Sequence, residues 1–218
     1  MGRAEEALSR LLEHYGRRPA SRRLDAFRSL VHIILSQNTN YRNEATAFRR
    51  LEESIGITPE GLSGSTVEAI SDAIRQAGMY NQRGRTLKSV AQAVLDRYGG
   101  EITPMLDLPY AEAREALMAL PGVGPKTADV LLLFNAGKEI VPVDRHIFRI
   151  SKRLEIVGPR AGYDEVRLAL EAATPPGRHE DVHVLLIWFG REFCRARSPR
   201  CQECFLEGLC LYPEKLAG

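Results

Sequence analysis

Residues 120–133 read LPGVGPKTADVLLL. A leucine and a proline lead into Gly122 and Gly124, which flank Val123, and an apolar helix starts at Pro125 with Lys126 in its first turn. Glycine lets the backbone turn tightly and lets another backbone approach closely. The first N–H groups of a helix point outward, with the positive end of the helix dipole behind them. The turn is therefore a seat for a phosphate.

Working outward, the apolar positions recur at helical spacing almost throughout. Ala7, Leu8, Leu11, Leu12 and Tyr15 form one face, stopped by Gly16; Leu24, Phe27, Leu30, Val31, Ile34 and Leu35 form the next. After the polar break SQNTN, Ala45, Phe48 and Leu51 mark a third helix. Thr58-Pro59 and Ser65 are helix entries. The helix after Ser65, with Val67, Ile70 and Ile74, ends at Gly78, and the stripe Leu87, Val90, Ala91, Val94, Leu95 and Tyr98 closes at Gly99-Gly100. A short helix over 111–120 leads into the glycine turn. Beyond Gly137, residues 139–143 (EIVPV) are extended, and helices follow at 145–154, 163–173 and 180–194. With no alternating strand pattern, the expected fold is all-α, about ten helices, with a seam near Gly137.

The 218 residues, 44% of them hydrophobic, suffice for one large domain or two small ones. No apolar run approaches the roughly 20 residues of a membrane span. The charged N-terminus, MGRAEEALSRLLEHYG, has no signal-peptide core, so a soluble, intracellular protein is expected. A net charge of +2 makes no case for a nucleic-acid partner, and only the distribution bears on it. Arg195, Arg197 and Arg200 fall close together, and Arg145, Arg149, Lys152 and Arg153 share a helix face. Either group alone reads as a solvated surface.

Three constellations carry chemistry. In the first, two helices joined by L-P-G-V-G form a helix-hairpin-helix, which grips a nucleic-acid phosphate and positions it without reading sequence. A plain αα-corner would use the same glycines but has no need of the lysine. In the second, that lysine stands with Asp144. An ordinary lysine, near 10.4, is neutral in fewer than about one molecule in a thousand at pH 7, so a free amine costs about 4–5 kcal/mol unless its surroundings lower the pKa. A neutral amine is the nucleophile of Schiff-base chemistry. Asp144, ahead of the helix RHIFRISKRL, reads as an N-cap, whose backbone N–H bonds favour the ionised carboxylate. The third is Cys194, Cys201, Cys204 and Cys210, a C-x6-C-x2-C-x5-C run holding every cysteine of the chain. Clustered thiols in an intracellular protein point to a metal site. Zinc sites usually present two short C-x2-4-C knuckles and this run has one, so the spacing leans from zinc towards a [4Fe–4S] cluster.

Taken together, LPGVGPKTADV, VPVDRHIFRI and the cysteine run resemble the endonuclease III family of helix-hairpin-helix DNA glycosylases, over residues 24–213. The resemblance implies two helical domains with a DNA cleft between them. One is a six-helix block at 25–137. The other is a four-helix iron–sulfur domain built from 1–24 and 138–218. It implies a base-excision repair glycosylase with AP-lyase activity on oxidised pyrimidines. Lys126 would attack C1′ of a flipped nucleotide with Asp144 assisting, and β-elimination would nick the strand. Cys194, Cys201, Cys204 and Cys210 would hold a [4Fe–4S] cluster. DNA contacts would fall on Gly122, Val123, Gly124, Arg145 and His146. Gln37, in ILSQNTN, would enter the duplex, and Met79, in AGMYNQRG, would be an apolar wedge of the kind that unstacks a base step. Arg195, Arg197 and Arg200 would offer positive charge to the backbone. The expected partner is double-stranded DNA with a damaged base or abasic site, bound by a monomer in the cytoplasm, on the nucleoid in a prokaryote.

Two positions depart from the family pattern: Pro125 stands where a basic residue is common, and Asp129 where relatives have Asn. Asp129 lies three residues after Lys126 and can share its face; a pair between them would favour the ammonium. Two other readings compete, a T/U mismatch glycosylase of the same superfamily and a non-catalytic DNA-binding protein with a structural metal loop.

Overall fold

A computed structural model describes residues 2–17 and 24–212 of the chain. Pro213, the last residue of the family resemblance, lies outside them, as does most of the join expected near residue 24. Among the described residues there are twelve α-helices and no strand. No helix among them is long and apolar enough to cross a membrane. The helices fall into two compact units.

The first unit holds eight: α2 (Ala26–Ser36), α3 (Tyr41–Ser54), α4 (Pro59–Gly64), α5 (Val67–Ala73), α6 (Tyr80–Tyr98), α7 (Thr103–Asp107), α8 (Tyr110–Met118) and α9 (Pro125–Ala136). Its centre is apolar: Leu30, Ile34 and Leu35 of α2, Leu87, Val90 and Val94 of α6, and Leu131 and Leu132 of α9 are all buried. Helix α6 packs on α2, α4 and α5, and α9 packs on α2, α7 and α8. The count is eight where six were expected, and α4, α5 and α7 among them have only six, seven and five residues. Thr58 caps α4 as its threonine-proline pair implies. The next cap is Thr66, whose side chain accepts from Ala69 N, and not Ser65, which donates to the Gly61 carbonyl. Helix α7, with Pro104 in its first turn, is five residues long, too short to leave a periodic signal.

The second unit holds α1 (Arg3–Tyr15), α10 (Arg145–Arg153), α11 (Tyr163–Ala173) and α12 (His179–Glu192). Its core joins Leu8 and Leu11, Ile147 and Ile150, Val166 and Leu170, and Leu185, Leu186 and Phe189, one or more pairs from each helix. Residues 139–143 have no regular secondary structure, so their buried backbone groups need other partners. Side chains supply them. Val141 N donates to Glu171 Oε1 (3.1 Å), Val143 N to Tyr163 Oη (3.3 Å), and the Pro142 carbonyl lies 2.9 Å from Nδ1 of buried His183.

One buried charge ties α8 to α9. Asp129 is fully buried, and its Oδ1 accepts from Tyr110 Oη and Arg114 Nε, both at 3.0 Å. Its carboxylate therefore has a cationic partner on α8. Removing one member of such a pair strands the other charge in the interior. Asp129→Ala is expected to lower stability to urea by about 3 kcal/mol, and Asp129→Asn, which keeps an acceptor, by less. Equal stability of Asp129→Ala and the parent would show that the pair holds nothing.

Candidate nucleic-acid and catalytic site

In the first unit the glycine turn joins α8 to α9. Gly122 has φ +73, the left-handed region that L side chains rarely adopt. A Cβ there would also lie 2.6 Å from Thr86 Cγ2 of α6. Gly122 is thus required twice, by its own backbone and by the helix beneath it. Gly124 differs: its φ is −96, an ordinary value, and a Cβ built on it meets no protein atom within 4 Å. The space beside Gly124 is open. Val123 is buried and its N–H donates to the Leu120 carbonyl (3.2 Å), so it serves the core and the turn. Pro125 takes the first position of α9, where its missing N–H costs no helix bond. Lys126 follows, half-buried, in the first turn.

Gln37 ends α2, and its Nε2 donates to Oγ1 of Thr127 (3.3 Å), the residue after Lys126. Met79 precedes α6 in the left-handed region, φ 47, and is 54% exposed. Met79 is thus an exposed apolar side chain on a strained backbone and not part of the core. The unit thus gathers Gly122, Gly124, Lys126, Gln37 and Met79. It also contains a residue that periodicity did not single out: Arg83, buried on α6, donates to the carbonyls of Gln37, Ala77 and Gly78.

In the second unit Asp144 caps α10. Its Oδ1 accepts from His146 N (2.8 Å) and Ile147 N (2.9 Å), so the other carboxylate oxygen is not committed to the cap. Arg145 is exposed beside it. The His146 ring lies against α12, where a Cβ on Gly190 would come within 2.8 Å of His146 Cβ, and its Nδ1 is 3.1 Å from Arg149 Nη2. Burial lowers its pKa, Asp144 raises it, and Arg149 lowers it further. His146 therefore packs within the unit.

Arg149 and Arg153, read from sequence as a solvated face, are turned to the cysteine loop instead. Arg149 donates to the carbonyls of Gly190 (3.0 Å) and Cys194 (2.9 and 2.7 Å). Arg153 donates to Cys194 Sγ (3.5 Å) and the Arg195 carbonyl (2.6 Å), with its guanidinium 4.0 Å from the Tyr212 ring centroid. Helix α10 thus carries Asp144 at one end and grips the first cysteine from the other. Of the three loop arginines, Arg195 and Arg197 are exposed. Arg200 pairs with Glu203 and lies over the Phe193 ring, so its charge is locally matched.

Cys194, Cys201, Cys204 and Cys210 are all free thiols, half-buried, and line one cavity with Arg153, Leu154, Phe189 and Leu206. Burial pushes the Cys204 thiol up to about 11, with smaller contributions from the neighbouring thiols, and burial also raises Cys201. Four thiols lining one cavity suit a polynuclear metal centre, whose positive charge favours thiolate ligands. The donor set and its apolar walls fit an iron–sulfur cluster held by four cysteines.

The family model described as HhH-GPD superfamily base excision DNA repair protein matches residues 31–176, and that of the iron–sulfur binding domain of endonuclease III matches 194–210. The chain is 34% identical over 186 residues to endonuclease III of Thermotoga maritima, covering 85% of this chain and 83% of that protein. It is 35% identical over 192 residues to endonuclease III of Escherichia coli K12, covering 87% and 85%. Among solved structures, a trapped endonuclease III–DNA covalent intermediate superposes with a TM-score of 0.86 at 28% identity over the full length of both chains.

The two glycines should separate in their effects. Gly122→Ala faces both a positive φ and the Thr86 contact, and is expected to cost about 2 kcal/mol or more of stability. Gly124→Ala should stay within about 0.5–1 kcal/mol of the parent. Urea unfolding of the two variants makes the comparison, and equal losses would mean that Thr86 yields to a Cβ.

Proposed function

Because the chain belongs to the endonuclease III family of the HhH-GPD superfamily, a family of base-excision repair DNA glycosylases that carry a [4Fe–4S] cluster, we propose that it removes oxidised pyrimidines from duplex DNA with Lys126 as nucleophile. The observation that carries the reading is the seating of Lys126 in the first turn of a twelve-residue helix, directly after a glycine turn with open space beside Gly124.

The chemistry follows from that placement. Backbone N–H groups and the positive end of α9 attract a phosphate to the turn, and the space at Gly124 lets the strand come close. The same dipole disfavours an ammonium, by about 0.3–1 kcal/mol at an exposed helix end, and covering by bound DNA adds desolvation. Once neutral, the Lys126 amine attacks C1′ of the damaged nucleotide as the base leaves. The C1′–O4′ bond then breaks, with the amine's proton passing to O4′, to give the iminium; loss of its C2′ proton breaks the C3′–O bond and expels the 3′ phosphate, which nicks the strand. An ionised Asp144 favours the positive charge that develops at the sugar. Flipping the nucleotide costs a few kcal/mol, least for a damaged base, and Gln37 and Met79 entering the duplex offset it. Arg145, Arg195 and Arg197, all exposed, add sequence-independent attraction to the backbone. Cys194, Cys201, Cys204 and Cys210 hold the cluster, which shapes the loop carrying two of those arginines. A covalent endonuclease III–DNA intermediate in a structural relative supports the lysine chemistry.

Borohydride trapping tests the reading. The parent is expected to form a covalent adduct with a duplex containing an abasic site and with at least one of thymine glycol or dihydrouracil, and Lys126→Ala to form none. Base release without any adduct would favour a mismatch glycosylase that does not cut, and adducts persisting in Lys126→Ala would place the nucleophile elsewhere. Asp144→Asn isolates the second role, because asparagine caps a helix about as well as aspartate. Its thermal midpoint should stay near the parent's while the single-turnover rate of base release falls by about 10² or more. A parallel loss of stability and rate would reduce Asp144 to a cap.

A further inference from the structure

Arg83 is 5% exposed, in the first turn of α6, and its guanidinium is shared between two segments distant in sequence. On one side it donates to the Ala77 and Gly78 carbonyls, the latter at 2.8 Å, in the turn that sets Met79 at φ 47. On the other it donates to the Gln37 carbonyl, where α2 ends and the next residue, Asn38, has φ 50. Both segments leave regular helix through a non-glycine residue in the left-handed region, a conformation that persists only when its surroundings hold it. Burial lowers the Arg83 pKa, as expected of a guanidinium facing neutral carbonyls. Desolvating a cation against carbonyls alone is an expensive way to join two loops. What it provides is geometry: five N–H donors in a rigid plane span two segments at once, which an ammonium on a flexible stem does not. Gln37 is then fixed twice, by its carbonyl on Arg83 and by its amide on Thr127, next to Lys126.

We propose that Arg83 is the positioning residue for nucleotide extrusion: it locks the Gln37 and Met79 segments into one wedge pair, so that both enter the duplex together. This rests on the reading above that Gln37 and Met79 are the residues that enter. Arg83 touches neither the reacting atoms nor the DNA, and its effect passes through those two segments.

The test compares a substrate that must be extruded with one that need not be. The holoenzyme and its variants are assayed in single turnover on a thymine glycol duplex and on a single-stranded abasic oligonucleotide, with thermal midpoints measured alongside. Arg83→Gln should slow base release from the duplex by about 10–100-fold, the loss that misplacement of about 1 Å can bring, and stay within about twofold on the single strand. In a Gln37→Ala/Met79→Ala background the same change should add less than about threefold, since its route is already gone. Arg83→Lys, the more conservative variant, should fold and still lose at least about threefold on the duplex. Equal losses on both substrates, additive losses in the cycle, or full activity of Arg83→Lys would overturn the proposal. If the Gln37/Met79 double variant extrudes normally, the wedge reading itself fails. If that variant is slow while Arg83→Gln is not, only the role of Arg83 fails.

Discussion

Gly122 sits on Thr86 at a distance that leaves no room for a Cβ, which seats the glycine turn directly on α6. Helix α6 is also the element to which the Gln37 and Met79 segments are tied. Its first turn carries Arg83, which grips the Gln37 and Met79 segments, and the next carries Thr86 under the hairpin. One rigid helix thus supports the phosphate seat and both candidate wedges. Precision of this kind suits sites built on regular elements more than sites carried by loops alone.

The second unit follows a similar economy with different parts. Asp144 lies between a stretch without regular secondary structure and a helix. Glu171, Tyr163 and His183 hold the backbone before it, and the carboxylate itself holds the first turn after it. At the other end of α10, Arg149 and Arg153 bind the loop of the first cysteine. The cysteine loop is therefore anchored to the short helix whose N-cap is the candidate catalytic carboxylate.

Much of this was legible because the residues concerned are local. Helix periodicity placed α11 at 163–173 and α10 to within a residue of its end, and the glycine turn announced the hairpin. The four cysteines are near neighbours in sequence and needed only their spacing to be noticed. What stayed hidden depends on pairs far apart. Arg83 meets Gln37 across 46 positions and Asp129 meets Arg114 across 15. A lone arginine in a helix reads as surface until its partners are known. Arg149 and Arg153 misled for the same reason: their spacing names a face but not what lies against it. Short helices failed differently, because five residues of α7 cannot display a period of 3.6.

The residues around Lys126 set the charge that the amine meets. Asp129, one helical turn on, could oppose formation of a neutral amine if its charge faced the lysine. It is fully buried, with Oδ1 held by Tyr110 and Arg114, so a guanidinium on α8 shares its charge. An anion already matched by a nearby guanidinium exerts a much smaller field on a third group than a bare carboxylate would. Pro125 acts in the opposite sense to a basic residue at that position, since it brings no second cation to the helix start and fixes the backbone there. The phosphate seat then depends more on the backbone of the turn and on the α9 dipole than on side-chain charge. Lys126 is the one cationic side chain in the first turn of that helix, at the end where the dipole is positive.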